Sequence, residues 1–384
     1  MKILVYLERS DVRGGIEIFA ERHVEQLRAA GHEVIVANSP FPVPPSPFLD
    51  FDEIIVHKCA DVATLEKFPP EKTTYYVHDH EPICPRGYAY TPLKHNCTRP
   101  GGLWPCIFCA PACKSWKAAL GRVFSQARRK RAMARFRKIV VISEFMKSRL
   151  VANGIPAERI SVEPPVIRTG GTRATGATGA TSPASPTSPA SPAGLASPAC
   201  LASPASPAGL ACLASPASPS CLASPAGLAC PACPACPAGP ASHQIDLLYV
   251  GQLIRGKGVQ LLLKAMARMN TPRTLDVVGT GNMEAELKSL ASQLGIAERV
   301  RFRGFQRNPL DWMRAAKCVV VPSFWQEPYG LVAAEAIALG RPVVAFAIGG
   351  LPEACGGKAT LVPPGDINAL AKALETEKSQ TLVT

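Results

Sequence analysis

The sequence predicts an α/β protein made of two doubly wound, Rossmann-like domains joined by a long low-complexity linker. Three observations carry that expectation. Apolar runs of strand length alternate with helical stretches through the first third, and the same alternation resumes after Leu247. Between them, residues 174–241 contain only Ala, Pro, Ser, Thr, Gly, Leu and Cys, in Ser-Pro-Ala and Gly-Leu-Ala units without a charge or an aromatic ring. Strand and helix in alternation favour a parallel sheet with helices on its faces. The middle segment cannot bury a core, so it is expected as a disordered or polyproline-like linker. The expected division is 1–168, 169–243 and 244–384.

In the first domain, strands are expected at Ile3–Leu7, Glu33–Ala37, Glu53–His57, Thr74–His78 and Ile139–Ile142, with a helix near Ile16–Ala30. The first strand meets the first helix at Arg13-Gly14-Gly15-Ile16, where Gly14 and Gly15 let a backbone approach a phosphate at the helix start. A glycine pair in a tight turn is also common without any ligand. His78 ends a strand, and in open sheets ligands gather at the carboxyl ends of strands. A lone histidine there is more often structural, but Val77-His78-Asp79-His80 concentrates polar groups at one strand end. His57, ending the preceding strand, is the second choice.

Cys84, Cys97, Cys106, Cys109 and Cys113 follow closely, and Cys106-Ile-Phe-Cys109 has the two-residue gap of zinc knuckles. Four thiolates there would hold a structural zinc or an iron–sulfur cluster; unligated thiols are the alternative. From Lys114 to Lys138 the chain carries ten Lys or Arg and no acid, with Trp116, Phe124 and Phe136 interspersed. Such a stretch reads either as a solvated helix face or as a basic amphipathic helix resting on anionic lipid.

In the second domain, strands are expected at Leu247–Val250, Leu275–Val278, Val300–Phe302, Cys318–Val321 and Val343–Phe346. The most informative segment runs from Ser323 to Glu335. Pro328 suits a first helical turn and Gly340 a stop, which sets Glu327 before the helix and Glu335 inside it. The two carboxylates are then on the order of 12 Å apart, roughly a diphosphate with a sugar on either end. Between them lie the unpaired amides of Gly330, Leu331 and Val332, at the positive end of the helix dipole. The competing reading is two solvated charges near a helix.

The net charge of +13 points to anionic partners: nucleotide diphosphates, lipid phosphates or nucleic acid. Charged residues soon after the first apolar run make the start a strand and not a signal peptide, and no uncharged apolar run is long enough to span a bilayer. Fourteen cysteines without an export signal argue against a disulfide framework. A zinc-containing nucleic-acid-binding protein is the runner-up class; the α/β pattern and the lack of a nucleic-acid motif set it behind, and no nucleic acid is expected.

Residues 246–372, from Leu247-Leu-Tyr-Val-Gly251 through Lys257-Gly258, Glu327, Glu335 and Gly349-Gly350-Leu-Pro-Glu353 to Val362-Pro-Pro-Gly-Asp366, resemble the donor domain of the retaining family 4 glycosyltransferases. The resemblance implies a GT-B fold, two domains facing across a cleft. It also implies transfer of a sugar from a nucleoside diphosphate to a polysaccharide or lipid-linked acceptor, in cell-envelope glycan synthesis, with no metal needed for transfer. Arg255 and Lys257, after Gly251, match the phosphate-gripping loop; many members carry Arg where this chain has Gln252. His78 resembles the active-site histidine, bonding the donor sugar or acceptor hydroxyl, with Asp79 or His80 orienting it. Gly304-Phe305-Gln306 matches the nucleobase seat, with Gly279 and Gly281 lining an adjacent turn. Asp50-Phe-Asp52 looks like the metal-binding Asp-x-Asp of another glycosyltransferase fold, but it begins a strand and is expected as a local cap. Family members usually continue with helices that cross back to the first domain. The donor domain is therefore expected to be truncated, and a catalytically inactive homologue is the alternative. The expected location is cytoplasmic, peripheral on the inner membrane face.

Overall fold

A computed structural model of the chain describes residues 1–8, 15–37, 48, 50–84, 96–97, 106, 116–167 and 245–377. The described residues belong to one compact unit. The expected linker, 169–243, lies outside the described residues.

The first sheet contains β1 (Lys2–Leu7), β2 (Glu33–Ala37), β3 (Glu53–Lys58), β4 (Thr73–Val77), β5 (Lys138–Val141) and β6 (Ile160–Val162), in the order β2-β1-β3-β4-β5-β6. All its pairings are parallel. Its described helices are α1 (Gly15–Ala29), α2 (Val62–Leu65), α3 (Trp116–Arg135) and α4 (Glu144–Val151). Alternate residues of one strand enter different cores: Leu4 and Tyr6 pack with Ile54 and Val56, whereas Ile3 and Val5 pack with Ile55 and Val140. A strand apolar on both faces is what a sheet covered by helices on both sides requires.

The second sheet contains β7 (Ile245–Val250), β8 (Leu275–Val278), β9 (Val300–Gly304), β10 (Ala316–Val321), β11 (Val343–Phe346) and β12 (Thr360–Val362), in the order β12-β11-β10-β7-β8-β9, again all parallel. Its helices are α5 (Val259–Met266), α6 (Glu284–Gln293), α7 (Pro309–Ala315), α8 (Leu331–Ala338), α9 (Leu351–Cys355) and α10 (Ile367–Thr376). Cys318 and Val320 face one core, Val319 and Val321 the other. Strand order reverses between β1 and β3 in the first sheet and between β7 and β10 in the second, and ligands of doubly wound sheets bind at such switch points.

Two details depart from the sequence reading. The edge strands β6 and β12 were not expected, because three residues are too few to show a period. The helix expected to start at Pro328 starts at Leu331, since Gly330 adopts φ +118, outside the helical region. A side chain at Gly330 would also meet Leu351 Cδ2 at 2.5 Å.

Candidate functional site

The loops leaving β7 and β10 flank the switch point of the second sheet and are sewn together. After β7 the chain makes a short 3-10 turn, Arg255–Lys257, and reverses at Gly258. Gly258 has φ +77, and a Cβ there would lie 1.8 Å from the Pro322 carbonyl oxygen, so only glycine lets the two loops touch. Phe324 and Trp325 donate their amides to the Gly256 carbonyl at 3.1 and 3.4 Å.

This seam brings Lys257 and Glu327 together. Lys257 Nζ lies 2.6 Å from Glu327 Oε1, which also accepts from Ser323 Oγ at 2.7 Å and Trp325 Nε1 at 2.9 Å. The ammonium stands over the Trp325 ring, 5.1 Å from its centroid. Glu327 is 7% exposed. Burial alone would raise its carboxyl; the Lys257 charge and the three donors outweigh that and hold it below the usual carboxylate value. Arg255 is not part of this cluster: its exposed guanidinium lies 3.4 Å from Glu286 Oε1.

Next to the pair, α8 presents its N-terminus. Its first intrahelical bond runs from the Ala334 amide to the Gly330 carbonyl, so the amides of Gly330, Leu331 and Val332 point out of the helix. Gly15, opening α1 of the first sheet, would place a Cβ 3.8 Å from Leu331 Cδ1; Gly14 lies outside the described residues. Glu335, one turn into α8, meets Arg22 of α1 at 3.6 Å. Burial raises the Glu335 carboxyl, and Arg22 opposes the rise. Gly251, Gly279 and Gly304 follow or end the neighbouring strands β7, β8 and β9, with Gly251 bonding Val278 and Gly279 bonding Gly304. Beyond them Phe305 is 58% exposed, an uncovered aromatic face at the strand ends.

On the first sheet, His78 follows β4 directly. Its Nε2 lies 3.0 Å from His57 Nδ1, and His57 Nε2 lies 3.0 Å from His23 Nδ1. Neither neighbour expected to orient His78 does so. Asp79 accepts the Glu81 amide, and His80 Nε2 donates to the Gln326 carbonyl at 2.8 Å, across to the second sheet. Burial pushes the Asp79 carboxyl up to about 6 and the His78 imidazole down to about 3. Further bonds join the two sheets' loops. Ser143 Oγ donates to the Pro328 carbonyl, Asn96 Nδ2 to that of Phe324, and the Glu144 and Phe145 amides at the start of α4 donate to Glu353.

Cys84, Cys97 and Cys106 form no disulfide among the described residues; Cys109 and Cys113 lie outside them. Among the described residues no three His, Cys, Asp or Glu side chains come together as ion ligands. Asp52, just before β3, accepts the Lys2 amide from fifty positions away, so its bond is a tertiary contact and not the local cap expected of Asp50-Phe-Asp52. No helix among the described residues is long and apolar enough to cross a membrane.

Sequence reasoning assigned no role to Ser323, Trp325 or Glu353 and missed Arg22 and His23 as parts of this region. Ser323 and Trp325 lie inside the informative segment, and alternation with Glu327 on an extended loop was a signal for them. His23 and Arg22 carried none, being polar positions of an amphipathic helix.

Residues 244–376 match the family model Glycosyl transferases group 1. The chain is 40% identical over 143 residues to a D-inositol 3-phosphate glycosyltransferase of Streptomyces coelicolor, covering 33% of this chain and 31% of that protein. It is 39% identical over 111 residues to an uncharacterized glycosyltransferase of Methanocaldococcus jannaschii, covering 28% of each. The chain thus spans less than a third of the length of these curated relatives. Among solved structures, Anabaena HepE in complex with UDP and glucose superposes with a TM-score of 0.59 at 18% identity, over 98% of this chain and 89% of that one. WaaG, a glycosyltransferase involved in lipopolysaccharide biosynthesis, gives 0.54 at 16%, over 97% and 90%. With two parallel six-stranded sheets, the chain has the GT-B fold that these solved structures share, and its residues 244–376 match the glycosyl transferases group 1 family model.

Proposed function

We propose that the chain is a retaining glycosyltransferase that moves a sugar from a nucleoside diphosphate to a glycan or lipid-linked acceptor, without a metal in the transfer step. The observation that carries this reading is the buried Lys257–Glu327 pair at a strand-order switch point, beside the open amides of α8. In a retaining transfer the acceptor oxygen joins the anomeric carbon on the face from which the diphosphate departs, and its proton passes to a departing phosphate oxygen. Negative charge grows on that phosphate. Lys257, Arg255 and the amides of Gly330, Leu331 and Val332 would meet it, supplying the positive field a metal gives in other folds. Glu335 would hold the ribose hydroxyls, Glu327 the transferred sugar, Phe305 the base, and His78 a sugar or acceptor hydroxyl.

A uridine diphosphate sugar is the natural first donor to test, as HepE was solved in complex with UDP-glucose. An acceptor carried on a membrane lipid would suit α3, where Phe124 is 58% exposed among the exposed Arg122, Arg128, Arg131 and Arg135. On that reading the protein works in envelope glycan synthesis, at the cytoplasmic face of a membrane. A thermal-shift panel of UDP, GDP, ADP and their sugars tests the reading, since a ligand at 100 times its Kd stabilises by about 2.7 kcal/mol. One diphosphate is expected to raise Tm, and its sugar to be consumed with retention when an acceptor glycan is added. A flat panel without turnover would sink the proposal.

A further inference from the structure

We propose that His23, His57 and His78 form a two-state tautomer relay that decides whether His78 offers a lone pair or a proton at its outer nitrogen. This makes His57 and His23 positioning residues for the transfer, and it rests on the reading that places His78 at the site. The chain of contacts runs His23 Nδ1 to His57 Nε2, then His57 Nδ1 to His78 Nε2, each 3.0 Å. An N···N contact of that length is a hydrogen bond only if it holds one proton. Too few protons leave two lone pairs face to face, and too many set two N–H groups against each other.

For three neutral rings, only two arrangements satisfy both contacts. In one, His78 Nε2–H donates to His57 Nδ1 and His57 Nε2–H donates to His23 Nδ1, so every ring is the Nε2–H tautomer and His78 Nδ1 is a bare lone pair. In the other, His23 Nδ1–H donates to His57 and His57 Nδ1–H donates to His78, so every ring is the Nδ1–H tautomer and His78 Nδ1 carries a proton. The arrangements interconvert by a balanced transfer: a proton arriving at His78 Nδ1 moves one along each contact, and one leaves from His23 Nε2. Neither outer nitrogen bonds a described protein group, and neither is among the buried polar atoms without a partner, so both ends are open. His57 in the middle is 2% exposed and sealed from water.

The surroundings favour neutral rings. Burial lowers all three imidazoles, and for His57 the neighbouring rings lower it further. Glu17 of α1 faces His78 and pairs with Lys58 of β3, while Glu53 of β3 and Glu163 after β6 face His23. Glu163 is itself engaged by Lys138 and by the Tyr76 hydroxyl. The Phe19 ring lies 4.9 Å from His78 and 5.7 Å from His57, and Tyr76 lies 4.7 Å from His57, holding the ring order.

Nitrogen-15 NMR of the full chain labelled at its seven histidines tests the relay directly. At pH 7 the three coupled rings are expected to share one tautomer, all Nε2–H or all Nδ1–H, or to exchange between those two states together. A mixed set, or a charged His57, overturns the proposal whatever the enzyme's activity. His57→Phe keeps a ring between Phe19 and Tyr76 but breaks both contacts. It is expected to lower kcat by about tenfold or more with the donor KM little changed, and to change the pH profile of kcat because the bond to His78 Nε2 is gone. His23→Phe, at the half-buried end, should give the same signature should His57→Phe fold poorly. Wild-type kcat and pH profile in the folded variants would show the relay idle. If wild-type protein transfers no sugar at all, the proposed function fails, and the spectra still decide the relay.

Discussion

Glu327 and Glu335 are both carboxylates beside α8, yet their surroundings divide their work. Glu327 is buried and charged through Lys257, whereas Glu335 is pushed upward by burial and pairs with Arg22 at 3.6 Å. Glu335→Gln is expected to weaken free nucleotide and intact donor alike, by about 1–3 kcal/mol for a lost charge-assisted bond. Glu327→Gln should leave nucleotide binding intact and depress transfer, its contact being to the sugar that gains positive character only in the transition state. Calorimetry with nucleotide and donor, together with initial rates, separates the two; wild-type behaviour in both variants defeats the site assignment. The histidines add a pH dependence. Their folded-state values lie below the unfolded 6.5, so below that pH the unfolded chain binds protons the folded one refuses. Stability is therefore expected to be full above pH 6.5 and to fall toward pH 3, while Asp79, raised to about 6, works the other way. Melting curves between pH 7 and 4 should slope less in His57→Phe than in wild type.

The seam between the β7 and β10 loops is an element-scale device. A strand pair supplies the switch point, but Gly258 alone allows the Arg255–Lys257 turn to lie on Pro322. Gly258→Ala must force a left-handed residue, costing about 1–2 kcal/mol, and must also part the loops by moving backbone atoms. The expected result is a lower urea midpoint together with a weaker nucleotide Kd, because the turn that aims Lys257 at the diphosphate is displaced. A loss of stability with unchanged Kd would mean the seam does not position the site. Gly15→Ala makes a suitable comparison, since its Cβ would meet Leu331 only at ordinary contact distance, 3.8 Å.

Across the whole molecule, the two sheets' loops are held by bonds from His80, Ser143 and the start of α4 to residues 326, 328 and 353. Glu353 is the most telling of these, because its carboxylate accepts the Glu144 and Phe145 amides at 3.0 and 3.4 Å, at the positive end of α4. Glu353→Ala is expected to cost about 1 kcal/mol, as for a lost helix cap, and to favour a more open arrangement of the two sheets. Small-angle scattering should then show a larger radius of gyration than for wild type. An unchanged radius would show that His80 and Ser143 suffice to hold the halves.

The strands were legible because they are short, mostly apolar runs: Glu33–Ala37, Leu275–Val278 and Val343–Phe346 form at the expected positions. Local chemistry also showed in Glu327, Gly330 and Glu335, since an N-terminus and its flanking carboxylates fit within one short segment. What the sequence by itself determined is thus the fold class and the segment that carries the α8 N-terminus and its carboxylates. Tertiary structure alone decided the partners. Lys257 finds Glu327 seventy positions away, His57 stands 34 from His23 and 21 from His78, and Arg22 meets Glu335 from the other sheet. Hydrophobic periodicity records which face of an element is buried. It carries no record of which polar group waits opposite, because that depends on how separate sheets and loops come together.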